Sequence, residues 1–456
     1  MARFYIENFG CRATQADGAA LERQFLDRGL GRARTARDAE IVVLNTCTVT
    51  AGADKDARAS IRRVQRENPG CRILVTGCYA QRAPEELAAL PGVKWVVGNS
   101  HKHRAAEIAA PGPAGFVPVA SLCGDGESNV IVGDIFAHTE LLAAPVFEAA
   151  NERTRPNLKV QDGCDNRCSF CVIPFVRGQS RSLPLDRVLA EVRSLVDAGY
   201  REVVISGINL GRWGRDQGGN RRLEDLIRAI LERTSLEKLR ISSVEPMDWS
   251  DELIGLVATS PRIAKHAHVP MQSASDAVLR RMHRKYRPWH YRDKILKIRA
   301  DMRTAAIGAD VMVGFPGETE AEFAETRCMV EELTFTYLHV FTYSARPGTA
   351  AAQLGGQVPV TVARERNRVL REIAAAKQAA FRQSLVGTVV EAITLRAGNE
   401  EFTEALTDNY LKIHVRGKLE PNRWIGVHVA DTENGVLVGQ MVNREAATRG
   451  AFGSNS

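Results

Sequence analysis

The chain has 456 residues, 25% of them charged, with a formal charge of +7 and a pI near 9.0. Two to four domains with more than one core are expected from that length, and a polyanionic partner from that charge. No apolar run reaches membrane-spanning length, and the start Met1-Ala-Arg-Phe-Tyr-Ile-Glu7 lacks a basic segment followed by an apolar core. This argues against a membrane span or a secretory leader and predicts a cytoplasmic protein, in which nine cysteines speak for metal binding or catalysis rather than a disulfide framework.

Three early runs read as buried parallel strands: Arg3 to Glu7, Glu40 to Leu44 and Arg72 to Thr76. Helical periodicity over Asp17 to Arg28 and Asp54 to Asn68 separates them, which predicts a doubly wound α/β domain over residues 1–110. Each strand is followed closely by a cysteine, namely Cys11, Cys47 and Cys78. Open parallel sheets bind ligands at the carboxyl ends of their strands, so this topology gathers three cysteines at one sheet edge. Cys71, Cys123 and Cys328 lie elsewhere and read as structural thiols.

The Pro/Gly-rich piece from Ala110 to Pro118 marks a linker over 111–156. A longer alternation then begins, with strands expected at Asn157 to Gln161, Glu202 to Ser206, Lys238 to Ser243, His266 to Met271, Ile307 to Phe315 and Tyr337 to Tyr343. Helical patterns such as Leu185 to Ala198 and Leu223 to Arg233 fill the gaps. Six βα units predict a partial TIM-like (β/α)6 barrel over 157–385, again with its site at the strands' carboxyl ends. Thr361 to Leu385 reads as a long amphipathic helix with a solvated charged face. Short alternating runs then predict a small antiparallel β-barrel over 386–445, ahead of a disordered tail over 446–456.

Directly after the first barrel strand, Gly163-Cys-Asp-Asn-Arg-Cys-Ser-Phe-Cys-Val-Ile-Pro174 places Cys164, Cys168 and Cys171 in a CxxxCxxC triplet. A [4Fe-4S] cluster usually takes four thiolates, so three leave one iron open to a small molecule. Structural zinc prefers paired CxxC knuckles with a fourth ligand, and the chain has no second CxxC.

The triplet resembles the radical S-adenosylmethionine superfamily, and the whole order of domains resembles its methylthiotransferases. That resemblance implies two [4Fe-4S] clusters, a radical-generating one on Cys164, Cys168 and Cys171 and an auxiliary one on Cys11, Cys47 and Cys78. It makes the terminal barrel a TRAM domain that binds substrate RNA. S-adenosylmethionine would be used twice, to methylate a sulfur on the auxiliary cluster and to yield a 5′-deoxyadenosyl radical. Four further motifs fit the family at strand ends: Ser206-Gly-Ile-Asn-Leu-Gly211, Arg240-Ile-Ser-Ser-Val-Glu-Pro246, His268-Val-Pro-Met-Gln-Ser-Ala-Ser275 and Gly308-Ala-Asp-Val-Met-Val-Gly-Phe-Pro-Gly-Glu-Thr319. The third departs from the usual pattern, with Ala274 where a glycine is customary.

From these motifs Gly207, Asn209, Gly211, Glu245, Gln272 and Asp310 are expected to bind cofactor, with Gly207 and Gly211 admitting its close approach. Glu245 and Gln272 equally suit a substrate contact or a supporting role, and a plain turn also accounts for the glycines. Tyr410 is expected to stack on RNA, and Lys412, Arg416 and Lys418 to contact phosphates, although an ordinary exposed side chain also fits each. Asn8-Phe-Gly-Cys-Arg-Ala-Thr-Gln-Ala-Asp17 and Gln161-Asp-Gly-Cys-Asp-Asn166 look most like the branch acting on N6-threonylcarbamoyladenosine in tRNA. The other branches act on N6-isopentenyladenosine in tRNA or on a ribosomal-protein aspartate. A non-catalytic iron-sulfur RNA-binding protein is the alternative outside enzymes. The resemblance further implies an external electron donor and a sulfur source, and a monomer is expected, although the sequence itself leaves the oligomeric state open.

Overall fold

A computed structural model describes residues 2–110, 129–137 and 155–442. Cys123, the start of the expected linker and the tail from Ala446 lie outside them.

The N-terminal sheet contains β1 (Arg3–Asn8), β2 (Gly31–Arg32), β3 (Ile41–Thr46), β4 (Arg72–Gly77), β5 (Val93–Val97) and β6 (Asn129–Ile131). They pair in parallel in the order β2-β1-β3-β4-β5-β6. β3 is wholly buried because helices cover both faces, hence its unbroken apolar run Ile41-Val-Val-Leu44. The expectation is corrected in two places: β2 and β5 extend the sheet beyond the three anticipated strands, and β6 belongs to this sheet although 111–156 reads as linker.

The central domain comprises β7 (Asn157–Asp162), β8 (Arg181–Ser182), β9 (Glu202–Gly207), β10 (Lys238–Ile241), β11 (His266–His268), β12 (Ala306–Val313) and β13 (Tyr337–Thr342). The six long-anticipated strands run parallel, but in two sheets, β10-β9-β7-β8 and β11-β12-β13, joined by a lone bridge between Leu239 and Ile263. β8 is an antiparallel addition on β7. β11 stops at His268, three residues short of expectation, and the chain beyond it passes Pro270, which has no N–H to donate, and turns at Gln272 with φ of 61°. Leu158, Val160, Val203, Ile205, Leu239, Ile307 and Val311 face the surrounding helices in one continuous core. Strand alternation therefore turns Lys159, Gln161, Arg240, His266, His268, Asp310 and His339 toward the barrel lumen.

The helix Val360–Gln383 leads to β14 (Val389–Gly398), β15 (Phe402–Thr407), β16 (Lys412–Arg416), β17 (Trp424–Glu433) and β18 (Val436–Val442), which close into a barrel. It is not purely antiparallel as expected, because β16 and β18 pair in parallel. This barrel sits at the amino ends of the central strands. Asn422 donates to the Gly199 carbonyl, Lys238 pairs with Glu391 at 2.7 Å, and Asn409 donates to the Thr304 carbonyl.

Candidate active site

The CxxxCxxC loop is held open by backbone contacts that its sequence anticipates. Gly163 turns at φ of 72°, and a Cβ there would lie 1.9 Å from the Gln179 carbonyl oxygen, so no other residue fits. Cys164 N–H then donates to the Gly178 carbonyl, and Cys171 N–H to that of Cys168. All three thiols are half-buried. Burial pushes the Cys171 thiol up to about 12, with the neighbouring Cys168 and Cys164 adding to it, and burial likewise raises Cys164. The three sulfurs are thus close enough to repel as thiolates, and a bound cation would have to displace their protons.

Two side chains reach the sulfurs: Asn209 Nδ2 lies 3.6 Å from Cys164 Sγ, and Arg284 Nη1 lies 3.3 Å from Cys168 Sγ. Asn209 is fixed by its backbone N–H, which donates to Gln161 Oε1, and its own Oδ1 is buried without a partner. An orphaned acceptor beside an incomplete thiol set fits a ligand that carries a donor group to the open metal. A cavity of about 160 Å³ opens there, lined by Asp165, Asn166, Ser180, Asn209, Arg212 and Lys285 among others.

The other expected cofactor residues divide. Glu245 is paired with Arg284 and lines a smaller recess beside Cys168. Gln272 holds its left-handed backbone through N–H donation to the Asp310 carbonyl. Both glycines also admit protein side chains: a Cβ on Gly207 would meet Gln161 Oε1 at 2.8 Å, and one on Gly211 would meet Asp248 Cβ at 2.4 Å. Asp310 turns its carboxylate to His268 Nε2, 3.2 Å away.

The second set lies at the carboxyl ends of β1, β3 and β4, where the topology was expected to bring it. Cys11 precedes the helix Arg12–Asp27, Cys47 follows β3, and Cys78 opens the helix Cys78–Arg82. Burial, reinforced by the charges of Cys78 and Cys11, pushes the Cys47 thiol up to about 11, which places these three sulfurs together as well. Cys11 Sγ lies 3.6 Å from Thr14 Oγ1, and Asn99 Nδ2 lies 3.7 Å from Cys78 Sγ. Three thiols with few protein donors fit a cluster that supplies its own bridging sulfide. Gly10 has φ of 96°, and a Cβ on it would fall 2.6 Å from Cys47 Cβ. Gly10→Ala should therefore add strain on the order of 1–3 kcal/mol and lower iron content at this set. Iron analysis would show it, and a full complement of iron would contradict the packing argument.

The two sets flank one short helix. Cys171 enters the helix Ile173–Arg177, and Cys78 packs on its Val172, Ile173 and Val176 side. Beneath it lies a buried charge network absent from the sequence reading. Asp17 accepts from Lys102 at 3.0 Å and from Arg177 at 2.9 Å and also pairs with Lys159, while Asp162 takes Arg177 at 2.9 Å and Lys159 at 2.8 Å. Asp17 and Lys102 come from the N-terminal domain, the other three from the barrel. The visible hint was Lys159, a charge inside a buried strand.

The RNA-contact expectations are altered. Tyr410 is half-buried at φ of 71°, with its hydroxyl accepting from Arg12 Nη2 at 2.9 Å and its ring 4.9 Å from that of His266. The guanidiniums of Arg12, Arg155 and Arg240 surround that ring at 5.3 to 5.9 Å. It is a domain-docking residue rather than an open stacking platform. Tyr410→Ala should lower stability by on the order of 2 kcal/mol and leave the terminal barrel more easily cleaved by protease. Unchanged stability with weakened tRNA binding would restore the stacking role. Lys412 and Lys418 are exposed but pair with Glu404 and Glu400, and Arg416 is exposed.

Residues 3–98 match the Uncharacterized protein family UPF0004, and residues 158–328 match the Radical SAM superfamily. The chain is 38% identical, over 91% of each chain, to the threonylcarbamoyladenosine tRNA methylthiotransferase MtaB of Bacillus subtilis. The chain belongs to the radical S-adenosylmethionine methylthiotransferase family. Its MtaB relative in Aquifex aeolicus is 35% identical over 92% of this chain and 98% of that one. The tRNA-2-methylthio-N(6)-dimethylallyladenosine synthase of Novosphingobium aromaticivorans is 31% identical over 96% and 97%. The fold also resembles a solved radical S-adenosylmethionine methyltransferase, TsrM of Kitasatospora setae, with a TM-score of 0.55 at 15% identity over 77% of each chain.

Proposed function

We propose that this methylthiotransferase converts N6-threonylcarbamoyladenosine next to the anticodon of tRNA to its 2-methylthio derivative. The observation that carries the reading is the pair of three-thiol sets on either side of the helix Ile173–Arg177. Cys164, Cys168 and Cys171 would hold one [4Fe-4S] cluster with an iron open to S-adenosylmethionine, and Cys11, Cys47 and Cys78 the second. Bound there, these groups supply reductive cleavage of the sulfonium and the sulfur to be inserted.

The chain's own residues position those groups. Asn209 leaves its buried Oδ1 for a donor on the cofactor, Arg284 steadies Cys168 and holds Glu245, and Gln272 presents a strained turn at the mouth. The threonylcarbamoyl substrate is favoured by relatives of that name at 31–38% identity, against 31–33% for the dimethylallyladenosine synthases. An external electron donor, a sulfur source and tRNA are the partners, and the protein works as a cytoplasmic monomer. No helix among the described residues is long and apolar enough to cross a membrane. Lys412, Arg416 and Lys418 would hold phosphates of the RNA.

Mass spectrometry of tRNA nucleosides from a deletion strain tests the substrate. Loss of 2-methylthio-N6-threonylcarbamoyladenosine is expected. Its persistence with loss of the isopentenyl counterpart would assign the enzyme to the other tRNA branch.

A further inference from the structure

Beyond the cysteines, the lumen of the central barrel carries a third cluster of metal-binding side chains. The register of β12 on β13 sets Asp310 beside His339, and β11 ends at His268, opposite Gly308. One potential ligand atom from each of His268, Asp310 and His339 lies within 4.8 Å of the others. His268 Nε2 and Asp310 Oδ2 are 3.2 Å apart. The His268 and His339 rings stack with centroids 5.7 Å apart and planes 24° from parallel. Two ligands on a tetrahedral zinc ion, bonded at 2.0 to 2.1 Å, stand about 3.3 Å apart, so the His268–Asp310 spacing already matches.

We infer that His268, Asp310 and His339 bind one divalent transition-metal ion, of the zinc class by its donor set, with coordination positions left open to the cleft.

Three features argue for a site over a simple His–Asp hydrogen bond. That bond would use two of the three groups and gives no account of the third donor at the same point. His268 is oriented as ligating histidines are, with its second nitrogen engaged: Nδ1 lies 3.0 Å from the Tyr337 hydroxyl, which lies 2.7 Å from His266 Nε2. Tyr337 can stand there because residue 308 is glycine, since a Cβ would fall 1.9 Å from its ring. His339 is exposed, which leaves an approach for an oxygen ligand such as a carboxylate.

The inference does not rest on the tRNA substrate, and its test does not read catalysis. Protein reconstituted anaerobically with iron and sulfide is freed of loosely held metal and titrated with Co²⁺, which is read by low-temperature EPR in the oxidised state. One equivalent of Co²⁺ per chain, displaced by Zn²⁺, is expected. His339→Ala and Asp310→Asn should weaken binding at least about tenfold, and Tyr337→Phe about tenfold. Because His339 is exposed, its variant should fold normally. A Cys164→Ala, Cys168→Ala, Cys171→Ala variant should keep the cobalt site. Absence of saturable Co²⁺ binding in the unaltered protein, or equal binding after joint His268→Ala, Asp310→Asn and His339→Ala replacement, would overturn the inference.

Discussion

Reconstituted Cys168→Ala protein is expected to form no 5′-deoxyadenosine from S-adenosylmethionine, whereas Cys47→Ala should keep that cleavage and lose methylthio transfer. The division follows from the placement of the two sets. Cys168 sits in the loop after β7 with Cys164, whose sulfur Asn209 reaches next to the 160 Å³ cavity where a small cofactor fits. Cys47 belongs to another domain, in contact with Gly10 and with the charges of Cys78 and Cys11 acting on it. Removing it leaves the loop from Gly163 to Pro174 with its own backbone contacts. Product analysis by liquid chromatography and mass spectrometry separates the two activities. Loss of both in Cys47→Ala, with the protein folded and about four irons retained, would mean that the sets do not act separately.

Asp17→Ala should cost about 3–5 kcal/mol of stability, far more than the loss of any surface ion pair. Asp17 is 1% exposed and faces Lys102, Lys159 and Arg177, so its removal leaves three buried cations with only Asp162 between them. Burial alone would raise its pKa, but those three cations overcome it and hold the carboxyl far below its usual range. Asp162 is likewise held well below its ordinary value, against burial, by Arg177 and Lys159. A depressed carboxyl contributes stability above its unfolded value of about 3.9, and that contribution is lost as pH falls through the lower folded value. Denaturant unfolding at neutral pH measures the Asp17→Ala effect, with exposed Glu372→Ala, a partner of Arg368, as the control. Equal small effects would show that the network does not hold the domains together.

Much of this arrangement was legible in the chain. The unbroken apolar runs of β1, β3 and β4 and the cysteine after each specified both the sheet and the edge where the thiols meet. The CxxxCxxC spacing specified the other set. What escaped had no local period to show it. β2 and β8 have two residues each, β6 has three, and all depend on a neighbouring strand for their hydrogen bonds. β5 is the exception, since Val93, Trp95, Val96 and Val97 are strand-forming residues interrupted only by Lys94. The packing of Gly207 against Gln161 and of Gly211 against Asp248 left no mark in the sequence, because neither partner lies within 30 residues of its glycine. Asp17, Lys102 and Arg177 were beyond reach because their pairings span 85 and 160 residues. Tyr410 has the composition of an RNA-stacking residue, and only the docking of the terminal barrel on Arg12, His266 and Arg240 shows its other use.

Iron and acid-labile sulfide counts on anaerobically reconstituted protein test the two-set account most directly. About eight irons per chain are expected, falling to about four when Cys11, Cys47 and Cys78 are replaced by alanine and to about four when Cys164, Cys168 and Cys171 are. A count of about four in the unaltered chain, abolished by either set of replacements, would mean one shared cluster and contradict it.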